Sequence, residues 1–241
     1  MSDQSLLVSL VERWERRQAL SDADRDALLA LPCTRKTFSR EAYLVREGES
    51  TVSCCVLLSG FAFRQKLVST GARQIISIHI PGEFLDLQNL MLGIADHNVQ
   101  SLNAATAAII PKAALLELMS ARPAIARALW QDTLIDSSVF REWVVNVGRR
   151  NARSRIAHLL CELMLRMRSA GLCNDTTCQF PLTQEQLADA TGLTSVHTNR
   201  TLMNLRHAGL IQLRASRLTV MDWHGLAELG DFNERYLHHS V

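Results

Sequence analysis

Residues 181–211 read PLTQEQLADATGLTSVHTNRTLMNLRHAGLI, and their side chains are of kinds that can read the edges of base pairs. If the second half of this stretch is a helix, Thr198, Thr201, Leu202 and Leu205 recur on one face. Ser195, Val196, Asn199 and Arg200 are then left together on the other. A hydroxyl, an apolar group that can sit against a thymine methyl, an amide and a guanidinium form a base-reading set. Arg200 can offer two parallel donors to guanine O6 and N7, worth roughly 1–3 kcal/mol of discrimination. The same spacing also suits a helix that merely covers a core, so the neighbouring elements must decide.

Those neighbours supply the positioning. Thr183 is placed to cap a short helix, QEQLADA, with Gln186 at its third position completing a capping box. Gly192 provides a tight turn, Thr194 or Ser195 caps the second helix, and Gly209 ends it. Two helices joined this way form a helix-turn-helix. The following LIQLRASRLTVMD reads as a two-stranded hairpin, a wing, whose Arg214 and Arg217 flank an Ala215–Ser216 tip where they can meet phosphates.

Charge supports a polyanionic partner. The net charge of +2 is small, but residues 141–220 carry eleven arginines and no lysine against five carboxylates. Residues 1–140 are nearly balanced, with 14 basic against 15 acidic residues. A compact basic segment is an electrostatic footprint for a polyanion, and beside a helix-turn-helix the expected polyanion is double-stranded DNA.

Upstream, residues 4–18 and 22–31 read as helices, the second capped by Ser21 and stopped by Pro32. From 33 to 112, short apolar runs broken at Gly48, Gly60, Gly71 and Gly82 predict antiparallel strands. After Pro123, about 25 residues lack proline and are apolar on more than one side. One face can pack on the β domain; Leu129, Ile135, Val139 and Trp143 are assigned to the second, facing a second copy of the chain. Gly148 is read as a break before a further helix, and CNDTTCQF as a polar connector. The expected fold is α+β. An antiparallel β domain spans 1–120 and a dimerisation helix 121–148, followed by a winged helix-turn-helix over 149–241.

Several classes are excluded. No run of about 18 uncharged apolar residues exists, and the first residues lack the pattern of a signal peptide, so a cytoplasmic protein with no membrane partner is expected. The six cysteines form no CxxC pair, so reduced thiols are expected and neither a disulfide framework nor a zinc ribbon. Adjacent Cys54 and Cys55 on a strand point to opposite faces and cannot readily chelate one metal. There is no GxSxG, HExxH or phosphate loop, so no enzyme is expected. The competing reading is a ligand-binding or enzymatic β-barrel whose C-terminal helices serve assembly only.

The REGE turn, the HIPGEF strand-turn, the long helix and LTQEQLADATGLTSVHTNRTLMNLRHAGLI together resemble the Crp/Fnr transcription regulators, over nearly the whole chain. The resemblance implies that the domain over 1–120 is an antiparallel, cupin-like β-roll of the cyclic-nucleotide-binding type, and it implies a homodimer and RNA polymerase as a partner. It places Ser195, Val196 and Arg200 at base-contacting positions and Thr183, Gln184, Thr194 and His197 near the DNA backbone. Val196 departs from the glutamate of the cyclic-AMP-responsive and oxygen-sensing members, so their operators are not carried over.

The resemblance also implies a Gly-Glu pair after the PGxF turn and an Arg-Ser pair some ten residues later. This chain has Asp86 and Leu87, and no arginine between Arg73 and Arg122. An unpaired phosphodiester would be costly to bury, which argues against cyclic-nucleotide control. The cysteine group of an iron-sulfur cluster is missing, and His79 is a common residue of the family's HxPG turn rather than a haem ligand. No cofactor is expected and no effector is identified. Cys173 and Cys178, beside the DNA-binding segment, are read as structural rather than as a redox pair.

Overall fold

The computed structural model describes residues 6–174 and 176–238. Its polypeptide forms two compact units, one of residues up to 66 with 77–137, the other of 67–76 with 138–238.

The first unit opens with α1 (Val8–Glu15) and α2 (Asp22–Leu29). The start of the expected 4–18 helix, residues 4 and 5, lies outside the described residues. Ser21 caps α2 by accepting from Asp24 N at 3.2 Å. The strands follow as β1 (Thr34–Phe38), β2 (Tyr43–Val45), β3 (Ser53–Ser59), β4 (Ala62–Leu67) and β5 (Arg73–His79). After the short α3 (Asn89–Leu92) come β6 (Asn98–Ser101) and β7 (Ala105–Pro111). They pair in two sheets, β1-β7-β3 and β2-β6-β4-β5, which make the antiparallel roll.

Gly60, between β3 and β4, sits at φ 78°, and a Cβ there would lie 2.4 Å from Ala104 O. Only glycine permits both the turn and the close approach.

Strand alternation divides the interior. Cys54 joins a cluster with Leu10, Trp14, Val56, Ile110 and Leu129, whereas Cys55 joins another with Leu57, Leu85 and Val99. Burial pushes the Cys54 thiol up to about 12, so it stays protonated.

An unexpected helix, α4 (Lys112–Ala121), follows directly on β7. The long helix α5 (Pro123–Arg149) then runs through Gly148. The break falls instead at Asn151, whose side chain accepts from Arg153 N and Ser154 N to cap α6 (Ala152–Ser169).

In the first unit, Asp132 of α5 accepts from Arg13, Arg17 and Trp14 Nε1 at 2.7–2.8 Å, tying α1 to the helix. In the second unit, Trp143 Nε1 donates to both oxygens of fully buried Glu162 on α6, at 3.0 and 3.1 Å.

These contacts correct the expected dimer face. Leu129, Ile135, Val139 and Trp143 are all buried within the single chain, at 2–8% exposure. They lie on the same side of α5 as Ala128 and Asp132, the side the protomer covers itself. The opposite side carries Trp130, Leu134 and Val144, exposed at 67, 50 and 53%.

Beyond α6, the stretch read as a connector contains a strand, β8 (Thr177–Gln179), and Cys173 is disulfide-bonded to Cys178 with the Cα atoms 4.6 Å apart. This corrects the expectation of reduced thiols, because the antiparallel bridge between these two residues brings their side chains together. Next come α7 (Gln184–Thr191), α8 (Ser195–His207), β9 (Ile211–Arg214), β10 (Arg217–Val220) and α9 (Trp223–Leu229). The third sheet has the order β8-β10-β9.

Candidate nucleic-acid interface

The helix-turn-helix is built by local chemistry. Thr183 Oγ1 accepts from Gln186 N at 3.1 Å and Gln186 Oε1 accepts from Thr183 N at 2.9 Å, the reciprocal capping box. Gly192 ends α7 in the left-handed region at φ 63°. Thr194, rather than Ser195, caps α8 by accepting from His197 N at 3.2 Å. Gly209 follows α8 with φ 71°, a conformation that glycine adopts without strain.

The two faces of α8 separate cleanly. Thr198, Thr201, Leu202 and Leu205 are buried, and Ser195, Val196, Asn199 and Arg200 are exposed together. Val196 is 81% exposed, a cost for an apolar side chain that a base-edge methyl would remove. Met203, half-exposed, lies on the same outward face and extends this stripe by one turn. Thr183, Gln184 and Thr194 are exposed at the starts of the two helices, where free N–H groups and the positive end of each helix favour a phosphate. His197 is only partly exposed, its backbone N–H being used by the cap.

In the wing, Arg214 and Arg217 occupy directly opposite positions of the β9–β10 ladder. The turn between them, Ala215 and Ser216, has positive φ at both residues, 47° and 56°, as a two-residue hairpin requires. Both arginines are exposed. Like charges placed opposite each other destabilise a hairpin, and an anion between them turns that cost into attraction.

The interior of the roll holds the other polar cluster. Asp86, 1% exposed, accepts from Cys55 N at 2.8 Å, and burial lifts its carboxyl to about 7. Arg64, on β4, donates from Nη1 to Asp136 of α5 at 2.8 Å and from Nη2 to Leu85 O at 3.2 Å. Buried His79 lies 3.5 Å from Glu83 through Nδ1, and its Nε2 has no hydrogen-bond partner among the described residues. Desolvation keeps the imidazole below its ordinary pKa and neutral. His97 pairs with Asp96 at 2.6 Å and with Gln88 at 3.0 Å.

A cyclic nucleotide does not fit this donor set. The buried Asp86 carboxyl offers no positive charge to a phosphate and accepts from Cys55 N, and the guanidinium of Arg64 is engaged by Asp136. Among the described residues, no three of His, Cys, Asp or Glu converge as metal ligands.

Comparison with known proteins agrees with both units. A cyclic nucleotide-binding domain model matches residues 35–122, and a Crp-like helix-turn-helix domain model matches 154–229. The nitrogen fixation regulation protein FixK of Bradyrhizobium diazoefficiens is 27% identical over 188 residues, covering 78% of each chain. The transcriptional activator protein FnrL of Cereibacter sphaeroides is 26% identical over 183 residues, covering 74% of this chain and 72% of its own. The solved structure of FixK2 from Bradyrhizobium japonicum superposes with a TM-score of 0.75 at 22% identity, over 83% of this chain and 98% of the other. With a roll, a long helix and a winged helix-turn-helix in the same order as in these proteins, the chain belongs to the Crp/Fnr family of transcription regulators.

Proposed function

We propose that this protein is a homodimeric regulator that reads a two-fold operator with α8 in the major groove and is not controlled by a cyclic nucleotide. The observation that carries the reading is the free face of α8, where Ser195, Val196, Asn199 and Arg200 stand exposed while every inward residue of the helix is buried. Arg200 takes the specific contact; Thr183, Gln184, Thr194, Arg214 and Arg217 hold the sugar-phosphate backbone. His197 belongs with them through the positive end of α8 rather than a free backbone donor.

Dimerisation runs through the exposed side of α5, Trp130, Leu134 and Val144, since a stripe of large apolar side chains on a long helix is most economically covered by its own copy. Half-sites are then about one helical turn, roughly 34–36 Å, apart. The protein acts in the cytoplasm, and RNA polymerase is the partner through which it activates. FnrL, named as a transcriptional activator, supports activation over repression. Among the described residues no helix is long and apolar enough to cross a membrane, and the family is one of regulators rather than enzymes.

Selection of bound DNA from a random pool tests the reading. The expected product is a two-fold motif whose binding falls steeply with salt. No enrichment, with salt-insensitive retention on DNA, favours the β-barrel alternative.

A further inference from the structure

The turn between β4 and β5 is grouped with the DNA-binding unit, as residues 67–76, and not with the rest of its sheet. The first two residues of β5, within this segment, grip α7. Arg73 donates from Nε to Asp189 Oδ2 at 2.7 Å and places Nη2 2.6 Å from the same oxygen. Beside it, Gln74 Nε2 donates to the backbone carbonyl of Asp189 at 2.7 Å. From α6, Arg155 Nη1 donates to Thr191 O at 3.1 Å, while its Nε is held by Arg150 O at 2.8 Å.

Two guanidiniums and an amide thus meet the C-terminal turn of α7, where the helix dipole is negative and the last carbonyls lack partners within the helix. Gly192 lies at the centre of this arrangement. A Cβ built there would stand 3.6 Å from Arg155 Nη1 and 4.0 Å from both Gln74 Oε1 and Val147 Cβ, near the end of α5. Three elements therefore converge on the turn that aims α8.

Resting on the DNA-reading function above, we propose that Arg73 and Gln74 are positioning residues that fix the angle of the helix-turn-helix against the end of α5, and so set the spacing between operator half-sites that the dimer accepts. The reasoning is geometric. The reading residues of α8 touch one half-site each and carry no information about the other. Spacing is read only if each helix-turn-helix is held rigidly to the helix at the dimer axis. One base pair moves a half-site by about 3.4 Å and turns it by roughly 35°, a displacement that a loose α7 tolerates and a strapped one does not.

The test measures affinity by fluorescence anisotropy on the selected operator, on versions with one base pair inserted or removed between half-sites, and on a version with the guanine read by Arg200 replaced. Wild type is expected to lose about tenfold or more on either spacing change, the scale of one lost base contact. Arg73→Ala is expected to flatten that loss to about threefold while keeping its discrimination at the guanine, because the reading face is untouched. The double exchange Arg73→Asp with Asp189→Arg is expected to restore the spacing preference. Should Arg73→Ala not fold, Gln74→Ala, which removes one amide, decides with a smaller loss of spacing preference.

Folded variants that keep the wild-type spacing profile, or a folded exchange variant that stays relaxed, overturn the inference while leaving DNA reading intact. If wild type selects no operator, DNA reading itself falls and the strap falls with it.

Discussion

Arg64 on β4 and Asp136 on α5 form an ion pair at 2.8 Å, with the arginine side chain only 11% exposed. A second donor of the same guanidinium reaches Leu85 O, one residue before the buried Asp86. The roll thus holds the first half of α5 by its own cation.

Arg64→Gln removes this hold. Because Asp136 is 41% exposed, water screens the pair, and the expected loss is roughly 1–2 kcal/mol. A thermal scan should show the melting temperature falling by about 2–6 °C. Millimolar cyclic AMP should leave the wild-type melting temperature unchanged; a shift of several degrees would show that the interior accommodates the nucleotide after all.

Asp86 gives the protein a pH-dependent stability of known sign. Burial raises its folded pKa to about 7, above the ordinary aspartate value of about 3.9, so over that range the folded state holds a proton that the unfolded state has already released. Its contribution is most favourable below pH 4 and is lost as pH rises from about 4 to 7, by roughly 1.4 kcal/mol per unit and about 4 kcal/mol in all. Asp86→Asn keeps an acceptor for Cys55 N and removes the titration. Denaturant midpoints for this variant should lack that slope and exceed wild type at pH 8; parallel curves would exclude the assignment.

The exposed side of α5 should govern association. Leu134→Glu with Val144→Glu is expected to give a folded monomer by sedimentation velocity and to abolish operator binding at nanomolar protein. Leu129→Ala, on the buried side, should instead lower stability by roughly 2–5 kcal/mol while the remaining folded protein stays dimeric. A dimeric double glutamate variant would place the interface elsewhere.

Reading and anchoring should separate in the DNA-binding unit. Arg200→Ala should cost roughly 1–3 kcal/mol on the selected operator and relax preference at one base pair. Arg214→Ala and Arg217→Ala should weaken binding to every sequence alike and reduce the salt slope by about one each. In gel-shift titrations, full discrimination by the Arg200 variant would move the reading contact to another side chain.

The sequence by itself determined whatever depends on neighbours along the chain. The capping box of Thr183 and Gln186, the turn at Gly192 and the split faces of α8 follow from hydrogen bonds three residues apart and from a repeat of 3.6. The two-residue turn between Arg214 and Arg217 is equally local, and it places the wing where it was expected. What only the tertiary structure decided are pairs distant in sequence. Arg64 with Asp136, Arg73 with Asp189 and Cys173 with Cys178 leave no periodic trace, since any of many charges or thiols could have met.

The sides of α5 show the same division. The sequence revealed a helix too apolar for one partner, but both sides carry leucine, valine and tryptophan. Which side is covered depends on where α1, the roll and α6 fold back, and they cover Leu129, Ile135, Val139 and Trp143. Periodicity counts the faces of a helix; only packing in three dimensions assigns each its neighbour.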